Sequence, residues 1–209
     1  MGSGWKKLRR GTRRLYTIAY AAMVGARTAA DSIVMRGAVL NREYGGDISI
    51  GSGTVIHRGA MLIPLGGFIR LGYRCRVNPY SVLYGHGGLS IGDHVRIAAH
   101  CVIIPANHGI ALDEGLIAEQ PMSKRGIRIG NDVWLGAGVR VLDGAVIGEG
   151  CVVAAGAVVR GELEPYAIYA GVPARLVRMR SPTTYLKDNF RNGRHETVGA
   201  EIPASVATS

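Results

Sequence analysis

Aliphatic residues recur along this chain at an interval of six residues. They form five groups of three, and the spacing inside every group is six. The series is Ile50, Ile56, Leu62; Leu71, Val77, Leu83; Ile91, Ile97, Ile103; Ile129, Leu135, Val141; Ile147, Val153, Val159. Extra residues lie only between groups, and twenty of them follow the third group. Because six residues fit one short strand and one turn, three units complete a triangular coil, and the pattern predicts a parallel β-helix that buries these anchors.

Small residues accompany the repeat where the chain has to turn. Gly often follows the first anchor of a group, and the fourth position after an anchor is usually small or apolar. The 31 glycines follow no collagen period, although they are about twice the ordinary share. We therefore predict an all-β fold with glycine at its corners. Cys75, Cys101 and Cys151 occupy the small position, so we expect buried thiols rather than disulfides or a zinc ribbon.

The repeat divides the chain into three segments. Residues 48–164 are predicted to form a β-helix of about five coils, with a loop at 109–126. Residues 1–47 contain nine basic and three acidic residues, more than half of the chain's net charge of +10, and their apolar spacing predicts a short helical extension. Residues 165–209 form a C-terminal segment, and the part after residue 180 reads as a loosely ordered tail.

Two roles are open for the basic N-terminal segment. It can cap the first coil, whose strand edges are otherwise exposed, and this is the favoured role. Alternatively, Trp5 to Tyr20 lie on an anionic membrane as a basic amphipathic helix. The longest apolar run, Leu15 to Ala26, is too short to span a bilayer, and no signal-peptide pattern is evident. We expect a cytoplasmic protein, with the inner face of the membrane as the alternative location.

The largest insertion marks a candidate site, because a long excursion from a compact solenoid usually carries function. His108 stands at the root of this loop. His86 belongs to the third strand of the coil below, just before the Gly87-Gly88 insertion at the same corner. The two histidines are therefore expected at one cleft. His94 and His100 fall on other faces of the triangle, unlike the three converging histidines of the zinc-dependent gamma-type carbonic anhydrases, so no metal is expected.

Residues from about 47 to 180 resemble the hexapeptide-repeat acyltransferases, and within them the maltose, galactoside, nodulation and polysaccharide O-acetyltransferase branch. The resemblance is carried by Asn78-Pro79-Tyr80, Gly85-His86-Gly87-Gly88, Pro105-Ala106-Asn107-His108, the stretch 126–138, the stretch 155–159, Pro165-Tyr166 and Ala170-Gly171-Val172-Pro173-Ala174-Arg175. It implies a left-handed β-helix and a homotrimer with active sites between subunits. It also implies transfer of acetyl from acetyl-CoA to a hydroxyl of a sugar, glycan or glycosylated metabolite, with no metal and no nucleic-acid partner. The alternative is an N-acetyltransferase of the same fold that acts on an amino sugar or a xenobiotic.

The same resemblance implies roles for individual residues. His108 matches the catalytic histidine, which acts as general base on the acceptor hydroxyl. Acceptor-side residues are Asn78, Tyr80, His86, Asn107 and Trp134, with packing at the coil edge as the alternative for Trp134. Residues expected to contact acetyl-CoA are Gly136, Ala137, Ala154, Ala155, Arg160, Gly161, Arg175 and Arg178. A backbone N–H near Gly136 or Ala137 is expected to bind the oxyanion, and Glu119 or a loop carbonyl to orient His108.

Departures from the family pattern limit the classes of acceptor molecule that we expect. Arg160 and Gly161 stand where the family often has Thr-Lys, so Arg160 is expected to replace the lysine as a cation displaced by one position. Tyr80 stands where sugar acetylases often carry Asn, and the acidic residue that engages their acceptor has no counterpart near His86. Simple maltose or galactoside acceptors are therefore not expected, and a glycan acceptor is favoured.

Overall fold

The structure is a computed structural model that describes residues 3–181 of the chain. One helix, α1 (Ser3–Val24), precedes a long series of short strands. The strands are β1 (Arg27–Thr28), β2 (Ile33–Val34), β3 (Val39–Leu40), β4 (Asp47–Ile50), β5 (Val55–Ile56), β6 (Met61–Ile63), β7 (Phe68–Leu71), β8 (Arg76–Val77), β9 (Val82–Tyr84), β10 (Leu89–Ile91), β11 (Arg96–Ile97), β12 (Val102–Ile103), β13 (Ile127–Ile129), β14 (Trp134–Leu135), β15 (Arg140–Val141), β16 (Val146–Ile147), β17 (Val152–Val153), β18 (Val158–Val159), β19 (Glu162–Leu163), β20 (Ala167–Ala170) and β21 (Arg175–Met179). Among these described elements, no helix combines the length and the apolar character needed to cross a bilayer.

Successive strands fall into three sheets, and the chain passes from one sheet to the next at every corner. The first sheet has the order β1-β4-β7-β10-β13-β16-β19, and the second has the order β2-β5-β8-β11-β14-β17-β20-β21. The third sheet has the order β3-β6-β9-β12-β15-β18. Neighbouring strands run parallel, except that β21 pairs antiparallel with β20. Since each strand pairs with the strand three places later, the chain winds as a parallel β-helix, which confirms the predicted fold class.

The β-helix extends beyond the predicted limits of residues 48–164. Its first coil is β1–β3, formed by residues assigned to the helical extension, and β19 and β20 begin a further coil. The third sheet has six strands, so there are six complete coils rather than about five. Thr28, Val34 and Leu40 keep the six-residue interval of the repeat, but the polar threonine in the first position hides it. The predicted tail lies almost wholly in residues 182–209, outside the described residues.

The fifteen repeat anchors form the interior of the β-helix. All fifteen are buried, and the most exposed of them, Ile91, exposes 5% of its surface. The register places them directly above one another, as in the column Ile50, Leu71, Ile91, Ile129. The three cysteines are buried free thiols, as predicted. Burial raises the pKa of the Cys75 and Cys101 thiols, so neither is a reactive thiolate.

Helix α1 is hydrogen-bonded to the first coil. The Thr17 hydroxyl accepts a hydrogen bond of 2.8 Å from the backbone N–H of Val34 in β2. The Tyr20 hydroxyl accepts one of 3.1 Å from the backbone N–H of Leu40 in β3. Both N–H groups belong to the terminal coil, where no further strand is available to pair with them. The helix therefore caps the first coil, as the favoured sequence-based hypothesis proposed.

Two corners of the triangle matter for function. We call the connection from the third sheet to the next strand of the first sheet the loop corner, because the long segment 104–126 leaves the coil there. We call the connection from the second sheet to the third sheet the glycine corner. It is named for Gly37, Gly59, Gly138 and Gly156, which adopt positive φ at equivalent positions. The third sheet lies between these two corners.

Candidate active site

His86 and His108 both lie at the loop corner, as the repeat predicted. His86 follows β9 and precedes β10, and His108 follows β12 at the root of the long loop. A backbone hydrogen bond of 3.1 Å from Gly87 N–H to the Pro105 carbonyl joins the two segments. A Cβ on Gly87 would lie 2.7 Å from the backbone of Lys124. Only glycine permits this approach, so Gly87 brings the His86 turn against both ends of the loop.

The environments of the two histidines differ. Burial, followed by the nearby charges of Lys124 and His108, lowers the pKa of His86. Its imidazole is therefore neutral at pH 7. The Nδ1 atom of His86 is buried and has no hydrogen-bond partner among the described residues. The His108 side chain, in contrast, is exposed to solvent. The loop corner therefore holds an accessible imidazole, that of His108, and a partly buried, neutral imidazole, that of His86.

The two ends of the long loop are joined beside His108. Asn107 N–H donates to the Ser123 carbonyl at 3.1 Å, and Ser123 N–H donates to the Asn107 carbonyl at 2.9 Å. Farther along the loop, the Gln120 side chain is buried. Its amide oxygen accepts a hydrogen bond from the Ala111 N–H, and its amide nitrogen donates one to the Ala111 carbonyl. The backbone of Asn107 thus helps to hold the two ends of the loop together, and the acceptor contact implied for Asn107 stays a prediction.

Asp143 anchors the returning end of the loop, and sequence reasoning missed it. Its side chain is wholly buried and accepts three hydrogen bonds: 2.8 Å from the Ser123 hydroxyl, 2.9 Å from Arg125 N–H and 3.1 Å from Gly126 N–H. The Arg125 guanidinium lies 3.7 Å from the same carboxylate. The sequence did offer one signal for this role. An acidic residue stands directly before Gly144, at the loop corner of the coil that follows the long loop. Glu119, a candidate for orienting His108, makes no hydrogen bond to it among the described residues.

Two other candidate residues lie at the glycine corner, on the far side of the third sheet. Asn78 and Tyr80 follow β8. The Asn78 side chain donates a 2.9 Å hydrogen bond to the Ile97 carbonyl, so its amide stabilises the stacked coils. Tyr80 is exposed and stacks on the His100 ring, with 5.4 Å between ring centroids. The structure does not bring these residues to the histidine pair within one chain.

Trp134 lies on the outer face of the second sheet. Its position in β14 is in register with Arg96 on one side and Val152 on the other. The side chain is 54% exposed. About half of the Trp134 surface is therefore accessible in the single chain, and both roles predicted for it stay predictions.

The residues expected to contact acetyl-CoA fall into two groups. Gly136 and Ala137 follow β14, and Ala154 and Ala155 follow β17, so these four form adjacent layers of the glycine corner. Arg175 pairs with Ala170 at the end of β20. Because β20 belongs to the second sheet, its end lies at the glycine corner. The Arg175 side chain is exposed there. Arg178 is opposite Ile168, farther along the same strand pair.

Arg160 and Gly161, in contrast, follow β18 at the loop corner. The predicted single set is therefore divided between the two corners of the third sheet.

Other histidines lie apart from these groups. His94 follows β10 at the corner between the first and second sheets and packs edge-on against Tyr73, with ring centroids 5.2 Å apart. His94, His100 and His108 thus occupy three different corners. Within the described part of the chain, no group of three His, Cys, Asp or Glu side chains is arranged to hold a metal ion.

Known proteins resemble this chain in sequence. A family model described as bacterial transferase hexapeptide (six repeats) matches residues 126–161. The chain is 31% identical over 149 residues to WbbJ of Escherichia coli, which is named as an O-acetyl transferase of lipopolysaccharide biosynthesis. That match covers 68% of this chain and 76% of WbbJ. The chain is also 37% identical over 114 residues to Rv3034c of Mycobacterium tuberculosis, named as an acetyltransferase. That match covers 54% of this chain and 38% of the length of Rv3034c.

A solved structure shows the same fold. A mutant of AntD, an N-acyltransferase from Bacillus cereus, in complex with dTDP and Coenzyme A, aligns with a TM-score of 0.67 at 21% identity, over 84% of this chain and 97% of that chain. At this identity the likeness concerns the fold alone. The relationship to WbbJ extends over most of both chains, and the hexapeptide model matches coils next to the loop. The chain therefore belongs to the hexapeptide-repeat acyltransferases.

Proposed function

We propose that this protein transfers an acetyl group from acetyl-CoA to a hydroxyl of a sugar or glycan, with His108 as general base. The observation that carries the proposal is the placement of His108. It is an exposed imidazole at the root of the long loop, in a chain related to O-acetyltransferases. The bonds between Gly87 and Pro105 and between Asn107 and Ser123 support it, because they hold this root against the His86 turn.

The chemistry follows from the acid–base properties of the groups. An alcohol attacks a thioester slowly because its pKa lies far above 7, so a neutral imidazole at hydrogen-bond distance has to accept its proton. The hydroxyl oxygen then bonds to the thioester carbonyl carbon, and the carbon–sulfur bond breaks. The proton passes from His108 to the departing thiolate, which leaves as CoA. No covalent acyl-enzyme forms, so no nucleophilic Ser or Cys is required beside His108.

The glycine corner supports a path for the extended arm of acetyl-CoA. Gly136, Ala137, Ala154 and Ala155 carry no side chain larger than a methyl group, so a ligand can approach the backbone closely. The N–H of Gly136 is used within the coil, where it donates to the Val153 carbonyl at 2.8 Å. We therefore assign the oxyanion contact to the neighbouring Ala137, which is exposed.

A complete site requires a second copy of the chain. The histidines and Arg160 lie at the loop corner, whereas the small residues and Arg175 lie at the glycine corner, with the whole third sheet between them. The outer face of this sheet is apolar and partly exposed at Val39, Met61, Ile63, Val82, Tyr84, Val102, Ile104 and Val158. The exposed Arg140 interrupts it between Val102 and Val158. A flat apolar face of this kind is typical of a subunit contact. We propose a homotrimer in which neighbouring subunits bring the loop corner of one chain to the glycine corner of the next.

Val82→Glu is expected to break this assembly, because the charge would be buried at the third sheet's outer face between the apolar Met61 and Val102. Val146→Glu is the matched control, since Val146 is also half-exposed on an outer strand face but belongs to the first sheet. Light scattering coupled to gel filtration should give three times the 22.2 kDa chain mass for the wild type and for Val146→Glu. Val82→Glu should give the mass of one chain. A monomeric wild type, or equal dissociation of both variants, would contradict the proposed contact.

Calorimetric titration with acetyl-CoA tests the proposed function itself. One molecule should bind per chain, and dephospho-CoA should bind more weakly because it lacks the 3′-phosphate. If this protein binds acetyl-CoA, it should then transfer the acetyl group to at least one acceptor in a panel of sugars, glycans and amino sugars. Transfer to amines alone would replace the O-acetyl assignment with N-acetyl transfer. No binding at millimolar ligand would reject acyl transfer from CoA.

Arg175→Ala should raise the KM for acetyl-CoA by roughly 10- to 100-fold, the usual worth of a charge-assisted hydrogen bond, and leave kcat nearly unchanged. The guanidinium is exposed at the end of the glycine corner, where it can reach a phosphate. Arg70→Ala is the control, because Arg70 is equally exposed but lies on the first sheet over the Phe68 ring. An unchanged KM in Arg175→Ala would place the phosphate contact on another cation.

A further inference from the structure

Helix α1 carries two apolar stripes on opposite sides. One side contains Thr17, Tyr20 and Ala21 and is used to cap the first coil. The other side contains five exposed apolar residues with the i, i+3, i+4, i+7, i+8 spacing of a helix face. They are Leu15, Ile18, Ala19, Ala22 and Met23. A helix that only capped the coil would need a single apolar face, so the second stripe is left without a function in the isolated chain.

The sequence that contains this second stripe is strongly basic. No acidic residue precedes Asp31 in the sequence. The same stretch holds seven basic residues: Lys6, Lys7, Arg9, Arg10, Arg13, Arg14 and Arg27. Like charges of this density would repel a second copy of the same helix, whereas they would attract an anionic surface.

A groove beside the helix adds further cations. It has a volume of about 540 Å³ and lies where the helix meets the first two coils. Arg13, Arg36 and Arg58 line it together with the apolar surfaces of Tyr16 and Met35. Arg36 and Arg58 occupy equivalent positions in successive coils, and both are exposed. Three guanidinium groups above an apolar wall suit an amphiphile with an anionic phosphate head.

We propose that helix α1 docks this enzyme onto an anionic lipid bilayer. The stripe of Leu15, Ile18 and Met23, which are 70%, 46% and 76% exposed, enters the interface between head groups and acyl chains. The arginines of the groove bind lipid phosphates. This surface lies at the capped end of the β-helix, and its role is independent of the acetyl-transfer chemistry. Docking would hold the enzyme next to acceptors that are attached to lipid.

Flotation of the full-length protein with vesicles tests the proposal. The wild type should float with vesicles of equal parts phosphatidylcholine and phosphatidylglycerol, should release at high salt, and should not float with phosphatidylcholine alone. Ile18→Glu with Met23→Glu should lower the bound fraction roughly tenfold or more, because it places two charges on the inserting stripe. Arg36→Ala with Arg58→Ala should weaken partitioning by roughly fivefold for each arginine.

A matched control separates membrane insertion from a general effect of charge. Leu112→Glu with Leu116→Glu makes the same change at two exposed apolar residues of the long loop, and it should float like the wild type. Acetyl-CoA binding should be the same in the wild type and in Ile18→Glu with Met23→Glu, so failed docking and failed catalysis are distinguished. The proposal is overturned by a wild type that stays unbound to anionic vesicles, or by helix variants that float normally. It is also overturned if the helix variants change the molecular mass in solution, because the stripe would then be a subunit contact.

Discussion

His108→Ala is expected to lower kcat by roughly 10²- to 10⁴-fold, the usual contribution of a general base. The loss arises because the acceptor hydroxyl would have to attack the thioester while it still holds its proton. The KM for acetyl-CoA should change little, because His108 is proposed to act on the acceptor hydroxyl and is not among the residues proposed to bind acetyl-CoA. The melting temperature should also stay close to that of the wild type, because the His108 side chain is exposed and contributes nothing to the buried core.

His94→Ala provides the matched control for this result. His94 is likewise a corner histidine of the β-helix, but it lies at the corner between the first and second sheets, against Tyr73. Its removal should leave kcat unchanged within the error of the assay. Steady-state kinetics with saturating acetyl-CoA and acceptor measure both variants. Turnover of His108→Ala close to that of the wild type would show that another group removes the proton.

The β-helix could be predicted from the sequence because its period is short and its fifteen repeat anchors are all aliphatic. Every coil buries its anchors at the same three positions, so Ile50, Leu71 and Ile91 report the same environment. The loop corner was also predictable, since insertions interrupt the period only there. His108 could be placed at that corner from its distance to Ile103 alone. These features depend on local spacing along the chain, which a sequence displays directly.

Features that depend on contacts between distant coils could not be read in this way. The first coil was missed because Thr28 replaces an aliphatic anchor, although its backbone still pairs with β4. The division of the acetyl-CoA residues between two corners follows from the path of the chain around the triangle, which similarity to a family motif does not reveal. Asp143 was missed for the same reason. Its partners lie 17 to 20 residues away along the chain.

Asp143→Ala is expected to lower kcat roughly 10²-fold, the order of loss caused by a displacement of about 1 Å in a catalytic group. The carboxylate holds the Ser123 hydroxyl and the N–H groups of Arg125 and Gly126. Ser123 in turn pairs through its backbone with Asn107, which precedes His108. Removal of the carboxylate leaves three donors without their acceptor, each at a cost of roughly 1–3 kcal/mol where it stays buried. The returning end of the loop should therefore detach and release His108 from its position.

Asp143→Asn distinguishes a positioning role from a general loss of stability. Both backbone N–H groups donate to Oδ1, which an asparagine retains, and its amide can donate to the Ser123 hydroxyl oxygen. Asp143→Asn should therefore recover most of the kcat that Asp143→Ala loses, although it gives up the pairing with Arg125. In both variants the KM for acetyl-CoA should remain near the wild-type value, and proteolysis within 109–126 should be faster only in Asp143→Ala. If Asp143→Ala kept full turnover, the Asn107–Ser123 pairing alone would be sufficient to hold His108. If both variants lost acetyl-CoA binding together with turnover, Asp143 would support the fold of the coil rather than the placement of His108.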